Sequence, residues 1–183
     1  MSTSRGHFAS IIGAVNASSH LMSNDWELRQ GQEKLAVMRR FPRRHTSQVK
    51  LGDGSTWDLR PAGWGVVEAV DGDDAFARIL RRSWWGRHWA ITSAVFAVDL
   101  VSRPTPRRWS FTIGDFAIGE LAGSAVSYNR IKVQADVAVP LVAVLLAWQV
   151  IARPWEAAAR PTQVVPSRQS ILEVSPRPSV DPA

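Results

Sequence analysis

Two clusters of arginine beside aromatic residues are the part of this sequence best suited to chemistry, and that chemistry is the binding of anionic groups. One cluster surrounds Phe41 and Pro42, and the other surrounds Trp84 and Trp85. Guanidinium groups bind phosphate through paired N–H donors, and tryptophan prefers the boundary between water and lipid. We therefore expect a site for lipid headgroups made of Arg39, Arg40, Arg43, Arg44, Arg81, Arg82, Trp84, Trp85 and Arg87.

The same residues have a simpler interpretation, in which they form solvated strand faces with the tryptophans turned into the core. The 22 Lys and Arg residues, of which only three are Lys, face 16 Asp and Glu residues and leave a net charge of +6. Such a balance produces a surface of mixed charge as readily as a basic patch. The use of Arg in place of Lys can reflect a genome-wide preference. Both interpretations stay open at this point.

Residues for catalysis or metal binding are scarce. The histidines His7, His20, His45 and His88 stand singly, without a partner at metal-ligand spacing, and the chain has no Cys. No nucleophile elbow, phosphate loop or dinucleotide fingerprint is present. Asp99 fits the outward face of a strand, and turn formation explains the acidic residues near Gly52 and Gly72. We expect no enzyme activity, no cofactor and no metal site.

Length and composition predict one folded domain between two tails. The chain has 183 residues, 45% of them hydrophobic and 21% charged, which is ordinary for a globular protein. Residues 1–24 mix Ser, Asn and Gly with a short apolar piece, and residues 154–183 are rich in Pro. The Pro-rich segment has too little apolar surface to offset its ordering entropy. We expect both to be disordered and residues 25–153 to fold.

Turn residues and alternating side chains predict antiparallel strands in this folded part. Segments 48–51 and 55–59 alternate around a Gly-flanked turn, which indicates a hairpin. The run 64–70 precedes an acidic turn, and residues 75–80 fit either a second strand or a short helix. Residues 89–101 favour a strand, because they are rich in Val, Ile, Thr and Phe. Residues 109–113 alternate again.

The end of the folded part shows the clearest strand, followed by an apolar segment. Ile131, Val133, Ala135, Val137 and Val139 fall on one face of a period-two pattern. After Pro140, the segment 141–152 contains Gln149 as its only strongly polar residue. Twelve helical residues span roughly 18 Å, against the ~30 Å of a bilayer core. This length favours a helix of about 140–153 inside a core, with a membrane span as the alternative.

Several of these units together resemble the tubby-like superfamily, which includes phospholipid scramblases and LURP-one-related proteins. The resemblance rests on the segments FARILRRSWWGRHWAI and WSFTIGDFAIGELAG, and on RIKVQADVAV followed directly by LVAVLLAWQVIA. A weak internal repeat accompanies them, because residues 74–80 followed by 88–91 resemble residues 115–121 followed by 129–133, each in the order strand, connection, strand. The resemblance implies a closed antiparallel β-barrel wrapped around a hydrophobic C-terminal helix. Nine or ten of the family's twelve strands are recognisable, and the acidic calcium-binding segment of the scramblases has no counterpart.

These observations predict a non-enzymatic binding or scaffold protein that docks peripherally on anionic membrane lipids. The expected location is the cytoplasm, at the inner face of the plasma membrane. One alternative is a small integral membrane protein with one or two spans, at 84–101 and 133–152. A second alternative is charge-driven binding of nucleic acid, which would use the same arginine clusters.

Overall fold

Twelve antiparallel strands close into a β-barrel around one helix, which confirms the predicted fold class. The computed structural model describes residues 8–19, 23–124 and 129–159, and the helix side chains as far as residue 152. The strands are β1 (Ser10–Ser19), β2 (Asp25–Gln30), β3 (Glu33–Phe41), β4 (Thr46–Leu51), β5 (Thr56–Gly63), β6 (Val66–Asp71), β7 (Asp74–Arg81), β8 (His88–Ser93), β9 (Ala97–Ser102), β10 (Arg108–Ile113), β11 (Phe116–Gly123) and β12 (Arg130–Pro140), and the helix is α1 (Leu141–Ala159).

Each strand pairs with its neighbours in the sequence, and β1 pairs with β12 to close the barrel. Successive loops therefore lie at alternate ends of the barrel. The helix begins at Leu141, directly after β12, so it enters at the end that carries the loops following even-numbered strands. We call this end the entry end. The opposite end, which carries the loops following odd-numbered strands, is the exit end.

The helix fills the barrel, and its side chains contact strands on every side. All residues from Leu141 to Gln149 are buried, and Ile151 and Ala152 are at most 3% exposed. The ring of Trp148 packs edge-on against Trp26, with 4.5 Å between the ring centroids. A helix that meets protein on every face must be apolar on every face, which is the pattern of 141–152. Among the described helices, none is long and apolar enough to cross a bilayer.

The segments considered as membrane spans have mixed structure. Residues 84–101 comprise part of a loop, β8, a turn and most of β9. Residues 133–152 comprise most of β12 and the buried part of the helix. Neither segment is a single continuous helix.

Both domain boundaries differ from the predicted ones. Strand β1 lies within residues 1–24, which the composition assigned to a disordered tail, and it forms the closing seam with β12. Its Gly and Asn residues are uncommon in strands, so the sequence gave only a weak strand signal. Its register is set by pairing with β12 on one side and β2 on the other. The helix continues through Pro154 to Ala159, beyond the expected end at residue 153. The rest of the predicted tail, residues 160–183, lies outside the described residues.

The number of strands was underestimated where turns lack Gly or Pro. Residues 89–101 form most of two strands, β8 and β9, and residues 75–80 belong to strand β7. The hydroxyl of Ser93 accepts hydrogen bonds from the N–H groups of Val95 and Phe96, both at 3.1 Å. A serine side chain thus stabilises this turn in place of Gly or Pro. Without those two residues the sequence of 89–101 contains no clear turn signal, so it predicted a single strand.

The alternating pattern of β12 is interrupted near its end. Ile131, Val133, Ala135 and Val139 are buried as predicted, but Val137 is 50% exposed. The register with β1 shifts here, since Gly13 faces Ala135 while Ile11 faces Val139. The extra residues form a bulge that turns Val137 outward. The prediction for Val137 was therefore wrong.

Leu145 tests the dependence of the barrel on its central helix. Its side chain is fully buried, so we expect Leu145→Ala to lower the free energy of unfolding by about 2–5 kcal/mol. Leu145→Asp should prevent folding, because it places an unpaired charge in the core. Ile12→Ala is the control, because Ile12 is 60% exposed and should cost less than about 0.5 kcal/mol. Urea denaturation measures these values, and a cooperatively melting Leu145→Asp variant contradicts the expectation.

Candidate functional site

The loops at the two ends of the barrel differ completely in the sign of their charged residues. At the exit end, the loops 42–45, 82–87 and 103–107 read PRRH, RSWWGR and RPTPR, and by sequence no exit-end loop contains Asp or Glu. The entry-end loops contain Asp53, Asp73 and Asp115, and by sequence they contain no Lys or Arg. The barrel is therefore polarised along the helix axis, with its positive side at the exit end.

Five arginines at the exit end have guanidinium groups available for a ligand. These side chains are exposed and have no hydrogen-bond or ion-pair partner among the described residues: Arg43, Arg44, Arg82, Arg87 and Arg103. Several cations on the barrel wall are paired instead. Arg108 contacts Glu120 at 2.8 Å, for example, and Arg60 contacts Asp58 at 3.3 Å. Exposed cations on loops that contain no Asp or Glu favour binding of an anion.

The first predicted cluster is divided by the register of β3. Arg39 points outward and donates two hydrogen bonds to Asp25, at 2.9 and 3.0 Å, which lower the pKa of that carboxyl group. Arg40 follows Ala36 and Met38 on the inward face and is only 5% exposed. The structure thus places Arg39 in a wall ion pair and Arg40 inside the barrel, away from the surface formed by Arg43 and Arg44.

The barrel wall beside Asp25 carries a second acidic residue whose negative charge is balanced by neighbouring cations. Glu27 accepts hydrogen bonds from Lys34 at 2.9 Å and from Arg29 at 3.0 Å. These bonds, with Lys34 the larger influence, lower the pKa of the Glu27 carboxyl group. The carboxylate is therefore charged at neutral pH and balances its cations, so this part of the wall attracts anions less than the exit end does.

A polar contact inside the barrel holds the loop that carries Arg43 and Arg44. Gln149 of the helix accepts a hydrogen bond from the Ser47 hydroxyl at 2.7 Å and donates one to the carbonyl of His45 at 3.2 Å. Gln149 and Ser47 are at most 1% exposed. The polar residue of the apolar helix therefore fixes the position of a basic loop.

In the second arginine cluster, around Trp84 and Trp85, Arg81 contacts the loop backbone. Its guanidinium group donates to the carbonyl of Ser83 at 3.0 Å and to the carbonyl of Trp84. It also lies 5.2 Å from the ring centroid of Trp64. A side chain at Gly65 would clash with Arg81, since its Cβ would lie 2.8 Å from the Arg81 Cβ. Arg81 therefore positions the loop and its aromatic residues, while Arg82 and Arg87 point to solvent.

Three tryptophans at the exit end expose most of their surface. Trp64, Trp84 and Trp85 are 70%, 75% and 82% exposed, and the rings of Trp64 and Trp84 lie 5.8 Å apart. The sequence indicated Trp84 and Trp85 but not Trp64. A signal was present, because Trp64 precedes Gly65 in a turn just as Trp85 precedes Gly86. We call Trp64, Trp84, Trp85 and the five available arginines the exit surface.

A mainly apolar cleft of about 540 Å³ opens at the exit end between the helix and the ends of six strands, β5 to β10. Its buried residues include Ile151 of the helix and Val67, and its exposed residues include Trp85 and Arg87. We call it the exit cleft. It is lined by Pro61, Gly63, Gly65, Val66, Val67, Arg81, Trp85, Gly86, Arg87, Trp89, Ser102, Trp109, Val150 and Ile151.

Other polar constellations are small. Asp99 lies half-buried on the wall, where its carboxylate is 3.2 Å from the Nε2 atom of His88. Within the described part of the chain, no group of three or more His, Asp or Glu residues could hold a metal ion.

Comparisons with protein-family models, with curated proteins and with solved structures found no match. The resemblance to the tubby-like superfamily therefore stays a prediction.

The contact between Gln149 and Ser47 can be tested by a double-mutant cycle. Gln149→Ala should lower the free energy of unfolding by about 1–3 kcal/mol, because the buried Ser47 hydroxyl loses its acceptor. The cost of Ser47→Ala should be smaller in the Gln149→Ala background, with a coupling energy of about 0.5 kcal/mol or more. Ser110→Ala is the control, since the Ser110 hydroxyl bonds to Gly119 on β11. Additive effects at Gln149 and Ser47 would contradict the contact.

Proposed function

We propose that this protein is a non-enzymatic binding or scaffold protein that docks peripherally on anionic membrane lipids through its exit surface. The observation that carries the proposal is the combination, at one end of the barrel, of five available guanidinium groups with three exposed indole rings. The proposed location is the cytoplasm, at the inner face of the plasma membrane, where anionic lipids are concentrated.

Each component of the exit surface suits one layer of a membrane. Guanidinium groups bind lipid phosphates with two parallel hydrogen bonds, and each basic residue near an anionic surface contributes about 1 kcal/mol. Indole rings are favoured at the level of the headgroups, where the ring meets hydrocarbon and the N–H meets water. Five arginines with three tryptophans are therefore enough for reversible binding.

The acidic entry end supports a single docked orientation. An anionic membrane repels Asp53, Asp73 and Asp115 and attracts the opposite end. The helix axis would then be roughly perpendicular to the membrane surface, with the exit end on the lipid and the entry end facing away from it. A scaffold with this geometry offers its acidic end and its walls to other partners.

Neutralising the exit surface should release the protein from vesicles. We expect the variant with Gln at Arg43, Arg44, Arg82 and Arg87 to bind phosphatidylserine-containing vesicles at least tenfold more weakly, because each lost charge removes about 1 kcal/mol. The control variant, with Gln at Lys50, Arg60, Arg78 and Lys132, loses the same charge from exposed wall positions. It should bind within about threefold of the wild type. Co-sedimentation with vesicles measures both affinities.

Salt and competitor arms separate this function from its alternatives. Binding should weaken steeply between 50 and 300 mM salt, values of the order at which screening of exposed charges sets in. It should be absent on vesicles of phosphatidylcholine alone. Equal loss in the two variants would contradict the proposal, and so would tighter binding to single-stranded DNA than to vesicles, which would indicate a nucleic-acid partner. Resistance to alkaline carbonate in membranes would indicate an integral protein.

The exposed tryptophans give a second, spectroscopic test. The double variant Trp84→Ala, Trp85→Ala should bind anionic vesicles about tenfold more weakly and should lose most of the fluorescence blue shift on binding, because indole rings leave water in the complex. Phe116→Ala is the control, since Phe116 is 79% exposed at the entry end. An equal effect of Phe116→Ala would show that the exit end is not the docking face.

A further inference from the structure

The exit cleft has the properties of a ligand site and not of a packing defect. Its volume of about 540 Å³ lies within the range of small-molecule sites, roughly 300–1,000 Å³. Elsewhere the helix fills the barrel closely, with every residue from Leu141 to Gln149 buried. The cleft is open to solvent, so a ligand that fills it removes apolar lining from water and replaces water contacts with close packing against the walls.

The lining defines the chemical class of that ligand. Most of the cleft lining is apolar. It includes Val66, Trp89 and Trp109 on the strands and Val150 and Ile151 on the helix. Two cationic side chains line it as well. Arg81 already donates to the carbonyls of Ser83 and Trp84, whereas Arg87 is exposed and has no partner among the described residues. A ligand with an apolar body and one anionic end matches this distribution.

We propose that the exit cleft binds the hydrocarbon chain of a long-chain anionic amphiphile, with Arg87 on its head group. The inference rests on the proposed function, because it names the lipid component that the same end of the barrel takes up. The chain has two sources, a free amphiphile such as a fatty acid or the acyl chain of a bilayer lipid. In both cases the apolar chain contacts Val150 and Ile151 of the helix.

Calorimetric titration of the full chain with decanoate, dodecanoate and tetradecanoate, each below its micelle concentration, tests the proposal directly. Each methylene transferred from water should tighten binding about fourfold, so each pair should give roughly 16-fold until the cleft is full. Dodecanol, which has the same chain without the charge, should bind at least tenfold more weakly. Affinity that does not depend on chain length overturns the proposal.

Two variants assign the binding to the cleft. Ser102→Phe extends a ring from the end of β9 into the cleft and keeps the backbone hydrogen bond from Ser102 to the Arg87 carbonyl, 2.8 Å in length. It should weaken dodecanoate binding at least tenfold. Gln48→Phe, which adds the same ring at an exposed position of β4, should leave it unchanged. Arg87→Gln should reduce the preference for dodecanoate over dodecanol to less than threefold. Equal affinities of Ser102→Phe and the wild type overturn the proposal.

Vesicle binding of Ser102→Phe distinguishes the sources of the chain and separates the two proposals. If Ser102→Phe loses vesicle binding with dodecanoate binding, the chain comes from the bilayer. If it loses only dodecanoate binding, the free amphiphile is the ligand. Vesicle binding of the wild type without any dodecanoate binding overturns the cleft and leaves membrane docking in place. Dodecanoate binding without vesicle binding supports the cleft and overturns membrane docking.

Discussion

The filling of the barrel interior is the constraint on which the rest of this structure depends. A sheet of twelve strands closes around a space that strand side chains alone cannot fill, and an empty interior would forfeit contacts along every strand. The helix from Leu141 supplies the missing volume, and it is apolar on every face because it meets a strand in every direction. Its buried polar residue, Gln149, is tolerated because Ser47 and the His45 carbonyl satisfy it.

Closure of a simple meander also explains the polarity of the surface. Since each strand pairs with its sequence neighbours, acidic and basic loops that alternate along the chain are sorted to opposite ends. Loops far apart in sequence, such as 42–45 and 103–107, thereby share one end. A modest net charge of +6 then becomes a strongly basic exit end and an acidic entry end.

The sequence predicted those parts of the molecule whose signal is local. The period-two pattern of β12, the apolar helix and the hairpin of β4 and β5 are each encoded within about 20 residues, whereas closure into a barrel was implied by the resemblance to the tubby-like superfamily. Strand β1 could not be predicted in this way, because its small and polar residues gain their register from β12, more than 100 positions away. The candidate site depends on the assignment of β3 as a strand. Consecutive side chains of a strand point to opposite faces, so Arg39 lies outside while Arg40, in line with Ala36 and Met38, lies inside.

The last turns of the buried helix connect the features of the exit end. Gln149 holds the carbonyl of His45 and with it the loop of Arg43 and Arg44, while the next two residues, Val150 and Ile151, line the exit cleft. The basic loop and the cleft thus take their positions from the same helical turn. Arg81 has the equivalent role on the other side, since it fixes the Trp84 carbonyl and lines the cleft as well. Because these supports are buried or hydrogen-bonded, the loop backbones that carry the charged and aromatic groups are held in place before a ligand arrives, which reduces the backbone entropy lost on binding.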